Sequence, residues 1–304
     1  MKRSGAYAWI SAVGLALMTI GVVQAADLGY SFKSLAALDT TVAGVPIHGD
    51  FELGAVNAAG AVVFVTELDN GEGGLMIGAD GKQALLSMNG ADAPGGGKFG
   101  GYISNKIGLN DAGDILLSVG VDPGDGEAQS VLDFDKTANK WTTVVKKGMP
   151  APDGGTFQAS NSFAGLNNKN DVVFAAMVDD SSAGPAGSGI FLWSGGKYTT
   201  IVRPGTKTAR GTFGDSWRPQ ISNSDVVTFE GKVGDDSDYG AYMWKDGQLT
   251  ELASVVTAVP GGSGKFSALK GVVANSNGDV AMLGNTDAGY HSCGANGAGA
   301  DSQP

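Results

Sequence analysis

Hydrophobic and polar positions along the chain repeat as a phrase. A polar turn led by Asn or Ser comes first, then a run that is apolar on both faces. It reads "NAAGAVVF" from Asn57, "NDAGDILL" from Asn110, "NNKNDVVF" from Asn167, "SNSDVVTF" from Ser222 and "NSNGDVAM" from Asn275. Asn and Gly suit the turn because both tolerate positive φ and Asn can bond its own backbone. A strand apolar on both faces must be covered on both sides, as when sheets stack face to face.

Two further elements share the period. Gly-x-Phe stands at 49–51, 97–99, 155–157, 211–213 and 264–266, preceded by Pro46, Pro94, Pro152, Pro204 and Pro260. "GLMIGADGKQALLS" is matched by "GIFLWSGGKYTTIV" and "GAYMWKDGQLTELA". Their Asp-Gly and Gly-Gly pairs between β-type runs signal two-residue hairpins. Each unit thus predicts four short antiparallel strands, the signature of a β-propeller blade. "SLAALDTTVAGVPIHGDF" (34–51) resembles "QLTELASVVTAVPGGSGKF" (248–266), so the chain begins with outer strands and ends with inner ones. The expected fold is all-β: a propeller of about five four-stranded blades spanning 27–285. The N-terminal strands of 28–42 would pair with those of 266–284 to close it and hide the sheet edges. An open array of β-modules is the alternative architecture. Residues 286–304 read as a weakly structured tail.

Composition adds a location. Lys2 and Arg3, the apolar run "ISAVGLALMTIGVV" and the small-residue site "VQA" describe a signal peptide over 1–25, and hence a secreted or periplasmic protein. No integral membrane segment is expected after its removal. Fifty glycines in a chain well supplied with Val, Leu and Phe indicate turns, not disorder. The formal charge of −11 argues against nucleic acid and anionic membrane as partners. Cys293 is the single cysteine, so no intramolecular disulfide supports the fold.

The phrase Asn57–Phe64 fits N-x-x-G-x-x-x-F, and in this the chain resembles the bacterial exported choice-of-anchor tandem repeat proteins. Copies at Asn110, Asn167 and Ser222 match it in part, with Leu117 for Phe, Asn170 for Gly, and Ser222 with Asp225, respectively. The resemblance spans roughly 45–285. It implies an exported repeat protein, often held at the envelope by a C-terminal anchor, and supplies no catalytic residues. The tail "GANGAGADSQP" has no apolar helix of the kind such an anchor uses.

Few motifs carry chemistry. "PGGSGKFS" (260–267) lacks the first Gly and the Ser/Thr of a phosphate-binding loop and is matched by "PGGGKF" at 94–99, an inter-blade turn. With only His48 and His291, neither a His-based triad nor a catalytic zinc site is expected. Trp193 and Trp244 hold equivalent third-strand positions and suggest inter-blade packing. Trp217 in "DSWRP" lies on an innermost strand beside Arg218. The pair is the candidate ligand-binding site, set against a packing role for the indole. Loops after the second strands collect acids: Asp69, Glu72, Asp122, Asp125, Asp179, Asp180, Asp235, Asp236 and Asp238. Asp235, Asp236 and Asp238 in "GDDSDYG" are the candidate ligands for Ca²⁺, against the plainer reading of solvated turns.

Two functions follow. The first is an exported non-enzymatic binding or scaffolding module at or outside the cell envelope, taking a glycan or protein ligand. The second is a polysaccharide-active enzyme using channel carboxylates, for which Glu52 and Asp215 are the candidates.

Overall fold

Each Asn-led turn joins two antiparallel strands, and the reason is visible in its hydrogen bonds. Oδ1 of Asn57, Asn110, Asn167 and Asn275 accepts from the backbone N–H four residues on, at 2.9 Å from Ala61, Asp114 and Asp171 and 3.0 Å from Asp279. Ser222 does the same for Val226 through its shorter hydroxyl, at 3.2 Å. The fourth turn position has positive φ in every copy: 76° at Gly60, 93° at Gly113, 63° at Asn170, 61° at Asp225 and 87° at Gly278. Asn and Asp replace Gly in two copies because they tolerate the left-handed region better than other side chains do.

The computed structural model describes residues 23–25, 30–32, 34, 36–38, 40–69, 72–79, 81–100, 106–124, 128–179, 187–234, 239–286 and 289–291. They form two compact units, 1–91 and 92–304. In the first, β1 (Val23–Ala25) pairs with β2 (Tyr30–Phe32). A five-stranded antiparallel sheet follows in chain order: β3 (Thr41–Val42), β4 (Val45–Val56), β5 (Val62–Leu68), β6 (Gly73–Ala79) and β7 (Lys82–Met88). Its core is Val42, Ile47, Phe64 and Met76.

The second unit holds four sheets in succession. One has a first strand in two pieces, β8 (Lys98–Phe99) and β9 (Ile107–Leu109), both paired with β10 (Ile115–Asp122), then β11 (Ala128–Asp135) and β12 (Lys140–Val145). The next is β13 (Thr156–Leu166), β14 (Val172–Asp179), β15 (Ser188–Ser194) and β16 (Lys197–Val202). The third is β17 (Phe213–Ile221), β18 (Val227–Val233), β19 (Tyr239–Lys245) and β20 (Gln248–Ser254). The last is β21 (Phe266–Ala274), β22 (Val280–Thr286) and β23 (Gly289–His291). These are antiparallel sheets of the propeller-blade type, and β13, β17 and β21 each lie on the sheet before them. Second strands β10, β14 and β18 are buried along most of their length on both faces, as their unbroken apolar runs require.

One core cluster lies at each junction. Leu116, Val131 and Val144 of one blade meet Phe157, Phe174 and Phe191 of the next, with Trp193 packed against them. Val173, Ile190 and Val202 meet Phe213, Phe229 and Tyr242, joined by Trp244. Ala241 and Ala253 meet Phe266, Leu269 and Val272. Trp193 and Trp244 therefore pack between blades. Phe99, Phe157, Phe213 and Phe266 are all buried. The glycine two residues before each has positive φ, and at Gly97 a Cβ would lie 2.7 Å from the Asp122 carbonyl oxygen.

The turns also bind blade to blade. Asn110 Nδ2 donates to the Asn167 carbonyl at 3.3 Å, and Asn167 Nδ2 donates to Asp225 Oδ1 at 3.2 Å. Alongside, Asp111 N–H donates to Asn168 Oδ1 (3.0 Å) and Asn168 N–H to Asn223 Oδ1 (2.8 Å). The recurrent phrase is thus a structural ladder.

Two expectations are corrected. Phe51, in the first copy of the recurring Gly-x-Phe element, does not take the position that the phenylalanines of the later copies take. Ile47, fully buried and opposite Leu68, holds the place that Phe157, Phe213 and Phe266 hold opposite Val178, Val233 and Thr286, and Phe51 is 45% exposed. The pairing of 28–42 with 266–284 is not formed among the described residues. β2 pairs with β1, β3 with β4, and the outer edge of β22 is taken by β23. A hairpin to a neighbour two to four residues away closes a far smaller loop than a pairing across the whole chain. Of the segment 286–304, read from sequence as a weakly structured tail, the described residues are 286 and β23 (Gly289–His291).

Candidate ligand-binding site

Every complete first strand carries a second irregularity midway: Leu53/Ala55 in β4, Asn161/Ala164 in β13, Trp217/Gln220 in β17 and Lys270/Val273 in β21. Bulges of this kind re-aim side chains and are common beside functional sites. In β21 the residue following Lys270 is Gly271, at φ 62°. In β17 the corresponding residue is Arg218, at φ 51°, a conformation that is uncommon for a long side chain.

Trp217 and Arg218 are brought together over a carboxylate that sequence reasoning missed. Glu230, on β18 opposite Trp217, is 2% exposed. Its Oε2 accepts from Trp217 Nε1 at 2.8 Å, and Arg218 Nη1 lies 3.3 and 3.4 Å from its two oxygens. Oε1 also accepts from the Gly271 N–H of the next blade at 2.7 Å. The carboxylate thus locks the indole plane and one arm of the guanidinium. Trp217 is half-buried, while Arg218 is exposed.

Cations and aromatic rings alternate around this pair. The Arg218 Cζ lies 5.6 Å from the centroid of Phe163, which occupies the bulge of β13, and Lys106 Nζ lies 4.8 Å from the same ring. On the other side Trp217 meets Tyr239 edge to face at 5.8 Å, and Lys232 Nζ is 5.0 Å from the Tyr239 centroid. Register explains the second half: Lys232 of β18 stands directly opposite both Asp215 of β17 and Tyr239 of β19. The signal for Glu230 is the one acid in the mostly apolar run "VVTFEGKV". Lys106 and Phe163 give none, because only packing across blades brings them to the pair, and Tyr239 arrives through the register of β18 and β19.

The two candidate channel carboxylates, Asp215 and Glu52, lie on different compact units. Asp215 Oδ1 accepts from Ser188 N–H at 2.7 Å and Ser216 N–H at 3.0 Å, tying two blades together. Glu52 is exposed on β4 opposite Val65 in the other unit.

Asp235, Asp236 and Asp238, the candidate Ca²⁺ ligands, lie outside the described residues, as do Asp125 and Asp180. Of the other loop acids, Asp69 Oδ1 is 3.5 Å from His48 Nδ1, Asp122 Oδ1 accepts from Gly124 N–H at 2.7 Å, and Asp179 Oδ2 is 3.5 Å from Gln158 Nε2. Among the described residues no group of three or more His, Cys, Asp or Glu side chains could hold a metal ion. Among the same residues no helix is long and apolar enough to cross a membrane.

Fold and blade pattern define an all-β protein of the β-propeller class. Residues 30–296 match the family of unknown function DUF7453, and the chain belongs to that family. No curated protein matches it. Solved structures similar to it include a protein of unknown function from Dyadobacter fermentans (12% identity, 77% of this chain and 74% of that one, TM-score 0.40). Another is the PL25 ulvan lyase, a polysaccharide lyase (11%, 78% and 61%, TM-score 0.40). A third is the α-L-arabinanase of Penicillium chrysogenum in complex with arabinobiose (12%, 80% and 80%, TM-score 0.38). Likenesses this distant do not extend to what the chain binds.

Proposed function

We propose that this protein is a non-enzymatic binding or scaffolding module working at or outside the cell envelope, and that Trp217 and Arg218 form its recognition surface. The observation that carries the reading is the backbone of Arg218. Gly271 meets the same left-handed requirement in the next blade without a Cβ, so Arg218 holds its place at a cost in strain of roughly 1 kcal/mol or more. Strain of this kind persists where a side chain is needed for something other than folding. Glu230 supports the same reading, since it spends its lone pairs on fixing Trp217, Arg218 and Gly271, which preorganises a surface for a ligand.

The test is a glycan and envelope-protein binding screen on the mature chain beside Arg218→Gly and Trp217→Ala. Wild type is expected to bind at least one ligand that both variants lose, with Arg218→Gly keeping its thermal midpoint to within a few degrees. Ligand binding unchanged in Arg218→Gly, or a wild type that binds nothing, overturns the reading.

A further inference from the structure

We infer that the ligand of this surface is an acidic polysaccharide, its carboxylate or sulfate groups held by Arg218 and Lys106 and its sugar rings set against Trp217. This rests on the reading that Trp217 and Arg218 form the recognition surface.

Charge placement is the first argument. The chain carries a formal charge of −11, yet Lys106, Arg218 and Lys232 gather on one run of three aromatic rings. Lys106 and Arg218 share the Phe163 ring, which brings two like charges within about one Debye length (~10 Å at 0.1 M salt). Glu230 offsets part of that repulsion, but it is buried and reaches only Nη1 of the guanidinium among the described residues. An incoming anion relieves the remainder, and the planar fork of arginine accepts a carboxylate or sulfate with two parallel hydrogen bonds.

Rigid aromatic geometry is the second argument, and it favours a glycan over an acidic peptide. The Trp217 plane is fixed by its bond to Glu230 and by the edge-to-face contact with Tyr239. Cations flank this fixed platform on both sides, Arg218 toward Phe163 and Lys232 toward Tyr239. Such spacing suits a chain of rings that carries charge at regular intervals. Phe163 holds its two cations in place by cation–π attraction, so its part is positioning.

The experiment is isothermal titration of the full chain with polygalacturonate, dextran sulfate, neutral dextran, neutral arabinan and poly-L-glutamate, at low and raised salt. Polygalacturonate or dextran sulfate should bind with an affinity that falls as salt rises, and the better of the two tells carboxylate from sulfate. Lys106→Met and Arg218→Gly should each weaken that binding about tenfold, a loss of one charge-assisted contact. Lys106→Arg, which keeps charge and cation–π contact, should restore it and guards against a folding artefact. If neutral glycans bind equally well and depend on Trp217 but not on Lys106, this inference falls while the binding reading stands. Poly-L-glutamate binding as tightly as the glycans overturns the choice of ligand. If no polymer binds and the screen for ligands is also blank, both fall together.

Discussion

Asp133 illustrates how much a single residue in this fold depends on its turn neighbours. It lies on β11, 2% exposed, beneath the Asn167 turn of the next blade. Asn170 Nδ2 donates to its Oδ2 at 3.0 Å, while Oδ1 has no hydrogen-bond partner among the described residues. Burial pushes its pKa up to about 6, against the lowering effect of Asn170 and with smaller upward contributions from Asp114 and Asp135. A carboxyl whose pKa is raised on folding stabilises the native state through its protonated form. That contribution is complete below the unfolded value near 4 and is lost as pH rises through about 6. Asp133→Asn removes the ionisation, so it should match wild type at pH 4. At pH 8 it should be more stable by roughly 2–3 kcal/mol, since each tenfold change in proton affinity is worth about 1.4 kcal/mol. Thermal melts at the two pH values decide it. A difference that does not vary with pH would mean that the carboxylate is satisfied when ionised.

At the scale of the element, the turn ladder shows what was legible in the sequence and what was not. Recurrence of Asn, or of Ser at 222, four residues ahead of a backbone N–H it can reach was enough to mark every first-to-second strand joint, including the two where Asn170 and Asp225 stand for Gly. Hairpins were equally plain, because Asp246–Gly247 and Gly195–Gly196 both have positive φ at two successive positions, as a type I′ turn demands. Local chemistry dictates such features. Register across a bulge is not local: three residues of β4 lie between Ile47 and Phe51 against one of β5, and this carried the visible Gly-x-Phe signal out of the core. Of the candidate site only the adjacent pair Trp217 and Arg218 was legible, since Lys106, Phe163 and Glu230 come from elsewhere in the chain. Position in the ladder should also set the worth of each Asn. Asn167 is 1% exposed and its side chain reaches Asp225 of the next blade, whereas Asn275 is exposed and its side chain bonds within its own turn. Asn167→Ala should therefore cost about 2–3 kcal/mol, as buried donors and acceptors lose their partner, and Asn275→Ala about 1 kcal/mol or less. Equal losses in urea titrations of the two variants would show that the inter-blade bonds add nothing to the turn itself.

For the whole molecule, the question is which part of the chain holds itself together. Within residues 92–304 each of the three blade junctions has its own apolar cluster, and polar links repeat beside them. Tyr198 Oη donates to the Val144 carbonyl, and Thr228 Oγ1 donates to the Val272 carbonyl at 3.0 Å. Blades that share a cluster with each neighbour cannot melt singly without exposing half of two cores, so cooperativity should extend through the unit. Residues 1–91 have, among the described residues, one five-stranded sheet beside the β1–β2 pair and a core centred on Val42, Ile47, Phe64 and Met76, and a core of that size is marginal for a unit under about 100 residues. The expected outcome is that 92–304, expressed alone, is monodisperse and melts in one transition that coincides by near-ultraviolet and far-ultraviolet circular dichroism. Residues 27–91 alone should show no cooperative transition. If the 92–304 fragment exposes dye-binding apolar surface and melts gradually, the three clusters are insufficient, and stability of the larger unit depends on the first 91 residues.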